Sequence, residues 1–232
     1  MHLRTIALSL AALAAGALSL AATGPAGASL ARLAAPAAST EFGSSCFDLS
    51  SQALGPGSIQ RHFGPGSGVR LQPGSRSGLT EDFTSETVGT LGELCADGRL
   101  PASAYVCGNP AGQFPPSQVV REWNWAPDGN ETGSCEGVAA ERSGQRLLLQ
   151  ACGLPRPTDL WVPDYGRGTG QHACLTGRYC AWYSAAAAKP LVLRVTTTGP
   201  ADQLEIYLST GSGTAPARQL FCSAPGPYSP AC

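Results

Sequence analysis

The stretch Gly133–Trp161, GSCEGVAAERSGQRLLLQACGLPRPTDLW, decides the fold. A turn at Gly144 is followed by the apolar segment LLLQ, and Cys135 and Cys152 lie on either side of this pattern. The arrangement predicts a β-hairpin that a Cys135–Cys152 disulfide closes. Trp161 follows the hairpin, where we expect its indole to cap the apolar layer beneath.

Short strands are also indicated elsewhere in the chain. Apolar and polar residues alternate in Val119–Trp125, Leu191–Thr197 and Leu204–Leu208, as in half-buried strands, and a turn between the last two predicts a hairpin. Ser85–Ala96 instead has apolar residues at helical spacing and predicts one short helix with Ser85 as its N-cap. Several short strands separated by Gly and Pro predict an all-β fold, either a barrel or a sandwich.

The N-terminal part of the chain has a different composition. A positively charged start precedes an apolar run and then small residues, so we predict that residues 1–28 are a signal peptide. Residues 29–78 are rich in Ala, Gly, Pro and Ser and predict a flexible, irregular arm, with at most one short strand at Gly68–Gln72. Residues 79–232 would then form one disulfide-stapled β domain of a secreted, extracellular protein.

The chain contains 9 cysteines, all of them after the predicted signal peptide. In an exported chain they predict disulfides, and although spacing does not fix the connectivity, it favours partners that are close in sequence, with Cys46 left over. The favoured pairs are Cys95–Cys107, Cys135–Cys152, Cys174–Cys180 and Cys222–Cys232. Because no CxxC pair occurs and His62 and His172 have no ligand spacing, we predict neither a metal site nor a cofactor.

The Gly133–Trp161 pattern resembles one repeat of the ricin-type β-trefoil lectins, in which a Cys, a Gly turn, an apolar strand, a second Cys and a final Q-x-W recur three times. Cys46–Leu49 is similar to another repeat start. The resemblance implies a β-trefoil-like barrel. Gly137 stands where the family has a sugar-binding Asp, and Asp159 replaces the family's Gln, so the galactose site is not carried over. The stretch Asp82–Trp161 also resembles a group of uncharacterised secreted actinobacterial proteins, which implies no activity.

The candidate ligand site is the strand and turn that contain Trp123, Trp125, Asp128 and Asn130. Indoles stack on sugar rings, and Asp and Asn pair with hydroxyl groups. In the alternative interpretation both tryptophans belong to the core and Asp128 lies in a hairpin turn. A net charge of -1 without a basic run argues against nucleic acid. We therefore predict a secreted module that binds a glycan, or another extracellular ligand, without catalysis.

Two other functions stay open. No nucleophile elbow, HExxH, Walker or GxGxxG motif follows the predicted signal peptide. A secreted glycoside or ester hydrolase would need a histidine, or paired carboxylates such as Glu122 with Asp128 or Glu131. Alternatively, Leu154–Pro157 could present a rigid loop to a protease, as disulfide-rich inhibitors do.

Overall fold

A computed structural model of the chain describes residues 46–55, 58–62, 64, 66–73, 81–108, 112–127, 130–153, 157–168, 173–174, 177–196, 202–209 and 213–225. All of them belong to one compact unit, residues 40–232. The predicted signal peptide lies outside the described residues and stays a prediction. Within the described part, no helix is both long and apolar enough to span a membrane.

Antiparallel β-strands make up most of the described chain. The strands are β1 (Cys46–Ser51), β2 (Ser58–Arg61), β3 (Arg70–Pro73), β4 (Phe83–Thr90), β5 (Val119–Trp125), β6 (Ser134–Val138), β7 (Gln145–Ala151), β8 (Leu160–Asp164), β9 (Ala173–Cys174), β10 (Gly177–Arg178), β11 (Ala181–Ser184), β12 (Leu191–Val195), β13 (Asp202–Leu208) and β14 (Phe221–Pro225). One short helix, α1 (Leu91–Ala96), follows β4. Short 3-10 helices lie at Pro157–Asp159, Tyr165–Arg167 and Ala217–Gln219.

The strand pairing repeats three times along the chain. Neighbouring strands pair in the order β1, β4, β5, β8 and β11. Cys180, just before β11, forms a bridge with Phe221 of β14, and β14 pairs with β1. Each repeat also contains a hairpin: β2–β3 follows β1, β6–β7 follows β5, and β12–β13 follows β11. The three hairpins meet where β13 pairs with β3 and with β7. This repeated four-strand unit makes the fold all-β and β-trefoil-like, as predicted.

The main core contains apolar residues from all three repeats. At its centre Trp123 stacks on Trp161, with ring centroids 5.1 Å apart, and meets Trp182 edge-on at 5.0 Å. The indole N–H of Trp161 donates to the backbone carbonyl of Glu136 over 3.1 Å. Trp161 therefore caps the apolar layer under the β6–β7 hairpin, as the sequence predicts.

The segment before α1 differs from its prediction. Phe83–Thr90 is a strand, and the helix begins only at Leu91. Thr90 caps it, because its side chain accepts from the Glu93 N–H while the Glu93 carboxylate accepts from the Thr90 N–H over 2.9 Å. The predicted N-cap, Ser85, instead pairs with Trp123 of β5. Main-chain hydrogen bonds to a distant strand thus override the local helical spacing.

Residues 46–73 are not the irregular arm that the sequence predicts, because they contain β1, β2 and β3. β1 pairs with β14 and β4, and β3 pairs with β13. Gly-rich and Pro-rich segments separate the strands of this first repeat. β1 and β3 are nevertheless ordered, because they pair with strands far along the chain. The predicted strand at Gly68–Gln72 is found at Arg70–Pro73, with Gly68 bridged to Leu148.

Two of the predicted disulfides are confirmed. Cys95 bonds to Cys107 and ties the end of α1 to the loop that follows it. Cys135 bonds to Cys152 and joins the start of β6 to the residue just after β7, with Cα atoms 4.8 Å apart. The second bridge closes the β6–β7 hairpin in the predicted way.

The predicted Cys174–Cys180 disulfide is wrong, because Cys180 is a buried free thiol. Its side chain packs in the main core, and burial together with the nearby Asp164 charge raises the pKa of the thiol. Cys222 does form a disulfide. Its predicted partner, Cys232, lies outside the described residues.

Candidate carboxyl-rich binding site

The pairing of β4 with β5 gathers polar residues on one face of these two strands. Glu86 lies opposite Glu122, and Thr84 lies opposite Asn124. Residues directly opposite each other in an antiparallel pair project from the same face of the sheet. Asn124 is also opposite Cys135 of β6, which places the hairpin disulfide beside them. We call this surface the carboxyl face and define it by Thr84, Glu86, Glu122, Asn124, Glu131 and Asp159.

Glu86 and Glu131 form the outer carboxyl pair of this face. A hydrogen bond between their side chains, burial, and the charges of Glu131 and Glu122 raise the pKa of Glu86 to about 7. The Thr84 hydroxyl donates to Glu131 Oε1 over 3.0 Å. Two carboxyl groups can form a hydrogen bond only when one of them keeps a proton, so Glu86 keeps its proton to a higher pH than an ordinary glutamate does.

Glu122 and Asp159 form the inner pair. Burial raises the pKa of Glu122, whereas hydrogen bonds with the Gly153 backbone and the Asp159 side chain lower it. Asp159 is itself fully buried. A carboxylate oxygen of Glu122 lies within 4.8 Å of the sulfurs of Cys135 and Cys152. Because these sulfurs are bonded to each other in a disulfide, they are not available as metal ligands.

Asn124 contributes an unusual oxygen to the carboxyl face. The residue is only 5% exposed. Its Oδ1 is buried and accepts no hydrogen bond within the described residues. A buried acceptor without a partner destabilises a protein by about 1–3 kcal/mol. The Asn124 oxygen is therefore an acceptor whose desolvation is not offset by a hydrogen bond within the described residues.

Gly137 has no room for a side chain. A Cβ atom there would lie 2.2 Å from Gln150 Nε2 and 2.9 Å from the Thr158 carbonyl oxygen. This is the position where the lectin repeat has its sugar-binding Asp. The family's galactose site therefore cannot form here, and any ligand must be held by other residues.

The structure separates the tryptophans of the predicted site from its polar residues. Trp123 is fully buried in the core, so its predicted role as a sugar platform is wrong. Trp125 is half-buried on the same side, with its ring 4.5 Å from that of His62. Asn130 is exposed in the segment after β5, next to Glu131 of the carboxyl face. Asp128 lies outside the described residues.

His62 is not placed as a catalytic base. It is 1% exposed, and burial lowers its pKa to about 4. Nδ1 accepts from the Gly64 N–H over 2.9 Å, so the ring is neutral and serves the local packing. His172 lies outside the described residues.

The sequence suggested Glu122 and Glu131 as paired carboxylates, and the structure brings their charges together. Glu86 and Asp159 were missed. Glu86 lay in a segment predicted to be helical, whereas its place opposite Glu122 depends on the register of β4 with β5. A prediction of β4 as a strand paired with β5 would have placed Glu86 beside Glu122.

No protein-family model matches the sequence, and no curated protein matches it. The resemblance to secreted actinobacterial proteins therefore finds no support. Solved structures of β-trefoil type are similar to the chain. The designed three-fold symmetric protein ThreeFoil has 12% identity and a TM-score of 0.47 over 77% of this chain and 96% of its own. An SDF2-like protein from Arabidopsis thaliana has 11% identity and a TM-score of 0.44 over 78% of this chain and 92% of its own.

A lectin from Polyporus squamosus, solved with a human-type influenza-binding epitope, is also similar. It has 10% identity and a TM-score of 0.48 over 78% of this chain and 49% of that chain. The present chain thus spans about half of that lectin. These likenesses concern the fold, and the site must be interpreted from the residues of this chain.

Proposed function

We propose that the mature chain is an exported carbohydrate-binding module without catalysis, and that the carboxyl face holds the sugar. The observation that carries the proposal is that Glu86, Glu122 and Glu131 come together on one face of disulfide-braced strands. The predicted signal peptide and the two bridges described above support a secreted, extracellular location.

The chemistry of the outer pair suits a polyol. A sugar hydroxyl both donates and accepts hydrogen bonds, and a pair of carboxyl groups that shares one proton offers both functions. Glu86 and Glu131 can therefore engage neighbouring hydroxyls at once. The exposed Asn130 extends the polar surface next to Glu131. The closed hairpin beneath keeps the site in one geometry and so limits the loss of entropy on binding.

A glycan array followed by titration calorimetry of the oxidised, mature protein tests this proposal. We expect binding at millimolar sensitivity or better. Glu86→Gln and Glu131→Gln should each weaken it by about tenfold, the effect of losing about 1.4 kcal/mol of hydrogen bonding. Asp97→Asn is the matched control, because this exposed carboxylate lies at the C-cap of α1, outside the carboxyl face. Absence of any glycan ligand, or unchanged affinity in both glutamine variants, would overturn the proposal.

Hydrolysis of a glycoside or ester is the second function that a cluster of carboxyl groups could serve. Glycosidases hold their two carboxyl groups about 5–5.5 Å or 6.5–9.5 Å apart so that a nucleophile or a water fits between them and the substrate. Glu86 and Glu131 are in direct hydrogen-bonding contact. That spacing is too short for Glu86 and Glu131 to act as the two carboxyl groups of a glycosidase, and turnover of a glycoside or ester panel that Glu122→Gln abolishes would instead support the hydrolase alternative.

A further inference from the structure

We infer that the outer face of β13, together with the arginines that flank it, is a second binding site and takes a polysaccharide that carries acidic groups. We call this surface the arginine face and define it by Arg70, Arg146, Arg194, Gln203, Glu205 and Tyr207. It contains no residue of the carboxyl face. The inference therefore goes beyond the proposed function and does not depend on it.

The alternation of residues along β13 sets the outer face apart from the core. Leu204 and Ile206 are fully buried in the main core. Successive side chains of a strand point to opposite sides of the sheet, so Gln203, Glu205 and Tyr207 point away from the core. These three residues form the central row of the arginine face.

Each of the three repeats places one arginine beside this row. Arg194 of β12 and Arg146 of β7 both lie directly opposite Glu205. Arg70 of β3 lies opposite Gln203. Because directly opposite residues of an antiparallel pair project from the same face, the arginines share the surface of the central row. Three arginines thus accompany one glutamate, and the face carries an excess of positive charge.

Tyr207 adds an aromatic surface to this charged face. The Arg194 guanidinium carbon lies 3.4 Å from the centroid of the Tyr207 ring and covers one side of it. Arg194 is itself held by Glu205, because its Nε donates to Glu205 Oε1 over 2.9 Å. Tyr207 is nevertheless 36% exposed. It therefore offers an ordered ring on which a sugar ring can stack.

Arg146 supplies the charge that an acidic ligand needs. It is exposed and forms no ion pair with a described residue, whereas the Glu205 carboxylate opposite it already accepts from Arg194. Tyr207 is its diagonal neighbour across β7 and β13, at a separation of about 7–8 Å that long side chains span. A guanidinium can donate two parallel hydrogen bonds to a carboxylate or a sulfate. Arg146 and Tyr207 can therefore bind the acidic group and the ring of one sugar.

The charges of the two candidate sites select different ligands. The glutamates of the carboxyl face repel acidic sugars, whereas the arginine face attracts them. The arginine face is built from strands of all three repeats, so it suits a chain of several sugars better than a single one.

Titration calorimetry of the oxidised, mature protein tests the inference. The probes are an oligogalacturonate and a dextran sulfate oligosaccharide, which separate carboxylate from sulfate recognition. Methyl-esterified oligogalacturonate and unsulfated dextran are the matched neutral ligands. We expect at least one acidic probe to bind, at least about tenfold more tightly than its neutral counterpart. Its affinity should fall several-fold when NaCl is raised from about 50 to about 200 mM, because salt screens exposed charges.

Substitutions locate the binding surface. Arg146→Gln and Tyr207→Ala should each weaken binding of the acidic probe by about tenfold, whereas Tyr207→Phe keeps the ring and should not. Both positions are exposed, so the variants should fold, which circular dichroism checks. Arg99→Gln is the matched control, because this exposed arginine follows α1 and lies outside the arginine face.

The inference is overturned if neither acidic probe binds, or if Arg146→Gln and Tyr207→Ala both keep wild-type affinity. Equal affinity for a DNA duplex would also overturn it, since the surface would then recognise phosphates and not sugars. Glu86→Gln separates the two proposals, because it should leave binding of the acidic probe unchanged. Neutral glycans bound through Glu86 without any acidic ligand would contradict the arginine face alone. Acidic glycans lost only in Arg146→Gln would contradict the carboxyl face alone.

Discussion

The two faces of β5 perform different tasks. On one face Trp123 is fully buried between other indoles of the core. On the other, Glu122 and Asn124 face the carboxyl groups that β4 and the segment after β5 supply. The comparison shows that the most conspicuous residues of the strand, its tryptophans, build the fold. The less conspicuous polar residues between them form the site proposed above to bind the ligand.

The largest expected effect comes from Trp123→Ala, on the core face. Removal of a fully buried indole should lower the free energy of unfolding by about 3–5 kcal/mol, through lost burial and a residual cavity. Urea unfolding followed by circular dichroism measures this change. Glu131→Gln, on the exposed part of the other face, serves as the control and should change stability by less than about 0.5 kcal/mol. If Trp123→Ala were equally mild, the assignment of Trp123 to the core would be wrong.

Glu136 is a carboxyl group that faces the core, and it sharpens the contrast with the carboxyl face. It lies opposite Leu149 and two residues from Val138, both in the main core. Burial raises the pKa of Glu136 from 4.5 to about 8. Between these two values the folded protein binds more protons than the unfolded chain. The free energy of unfolding must therefore fall as the pH rises through this window.

Glu136→Gln removes this titration. We expect the variant to lose part of the pH dependence of stability between 4.5 and about 8, a difference on the order of a few kcal/mol at the alkaline end. Urea unfolding at a series of pH values measures both slopes. Glu141 and Glu86 also have raised pKa values, so the difference between the two proteins, not the wild-type slope, reports on Glu136. Parallel curves would show that Glu136 is not held protonated in the core.

Local patterns predicted the β6–β7 hairpin well. Its two strands, its turn and both cysteines lie within one short stretch, so their pairing needs no information from elsewhere. The same holds for the β12–β13 hairpin and for Cys95–Cys107. The order of β1 to β3 instead depends on β13 and β14, at the other end of the chain. The Gly-rich and Pro-rich composition of this segment indicates turns. It gives no information about the distant strands with which β1 and β3 pair, so these strands were not predicted.

The site was harder to predict than the fold for the same reason. The carboxyl groups come from β4, β5, the segment after β5 and the turn before β8. Only the register that sets Glu86 opposite Glu122 and Thr84 opposite Asn124 places these side chains on one face. Glu122 and Glu131 were suggested because they are close in sequence, whereas Glu86 and Asp159 required the tertiary structure.

Gly137→Asp makes the smallest of these changes and tests whether the lectin site could be restored. The new Cβ would collide with Gln150 Nε2 and the Thr158 carbonyl, so we expect a loss of about 1–3 kcal/mol in unfolding free energy. No galactose binding should appear. Gly108→Ala is the matched control, because its nearest neighbour would be the Tyr105 carbonyl at an ordinary 3.4 Å. A stable Gly137→Asp variant that binds galactose would show that a lectin-type site can be built at this position despite the close Thr158 carbonyl.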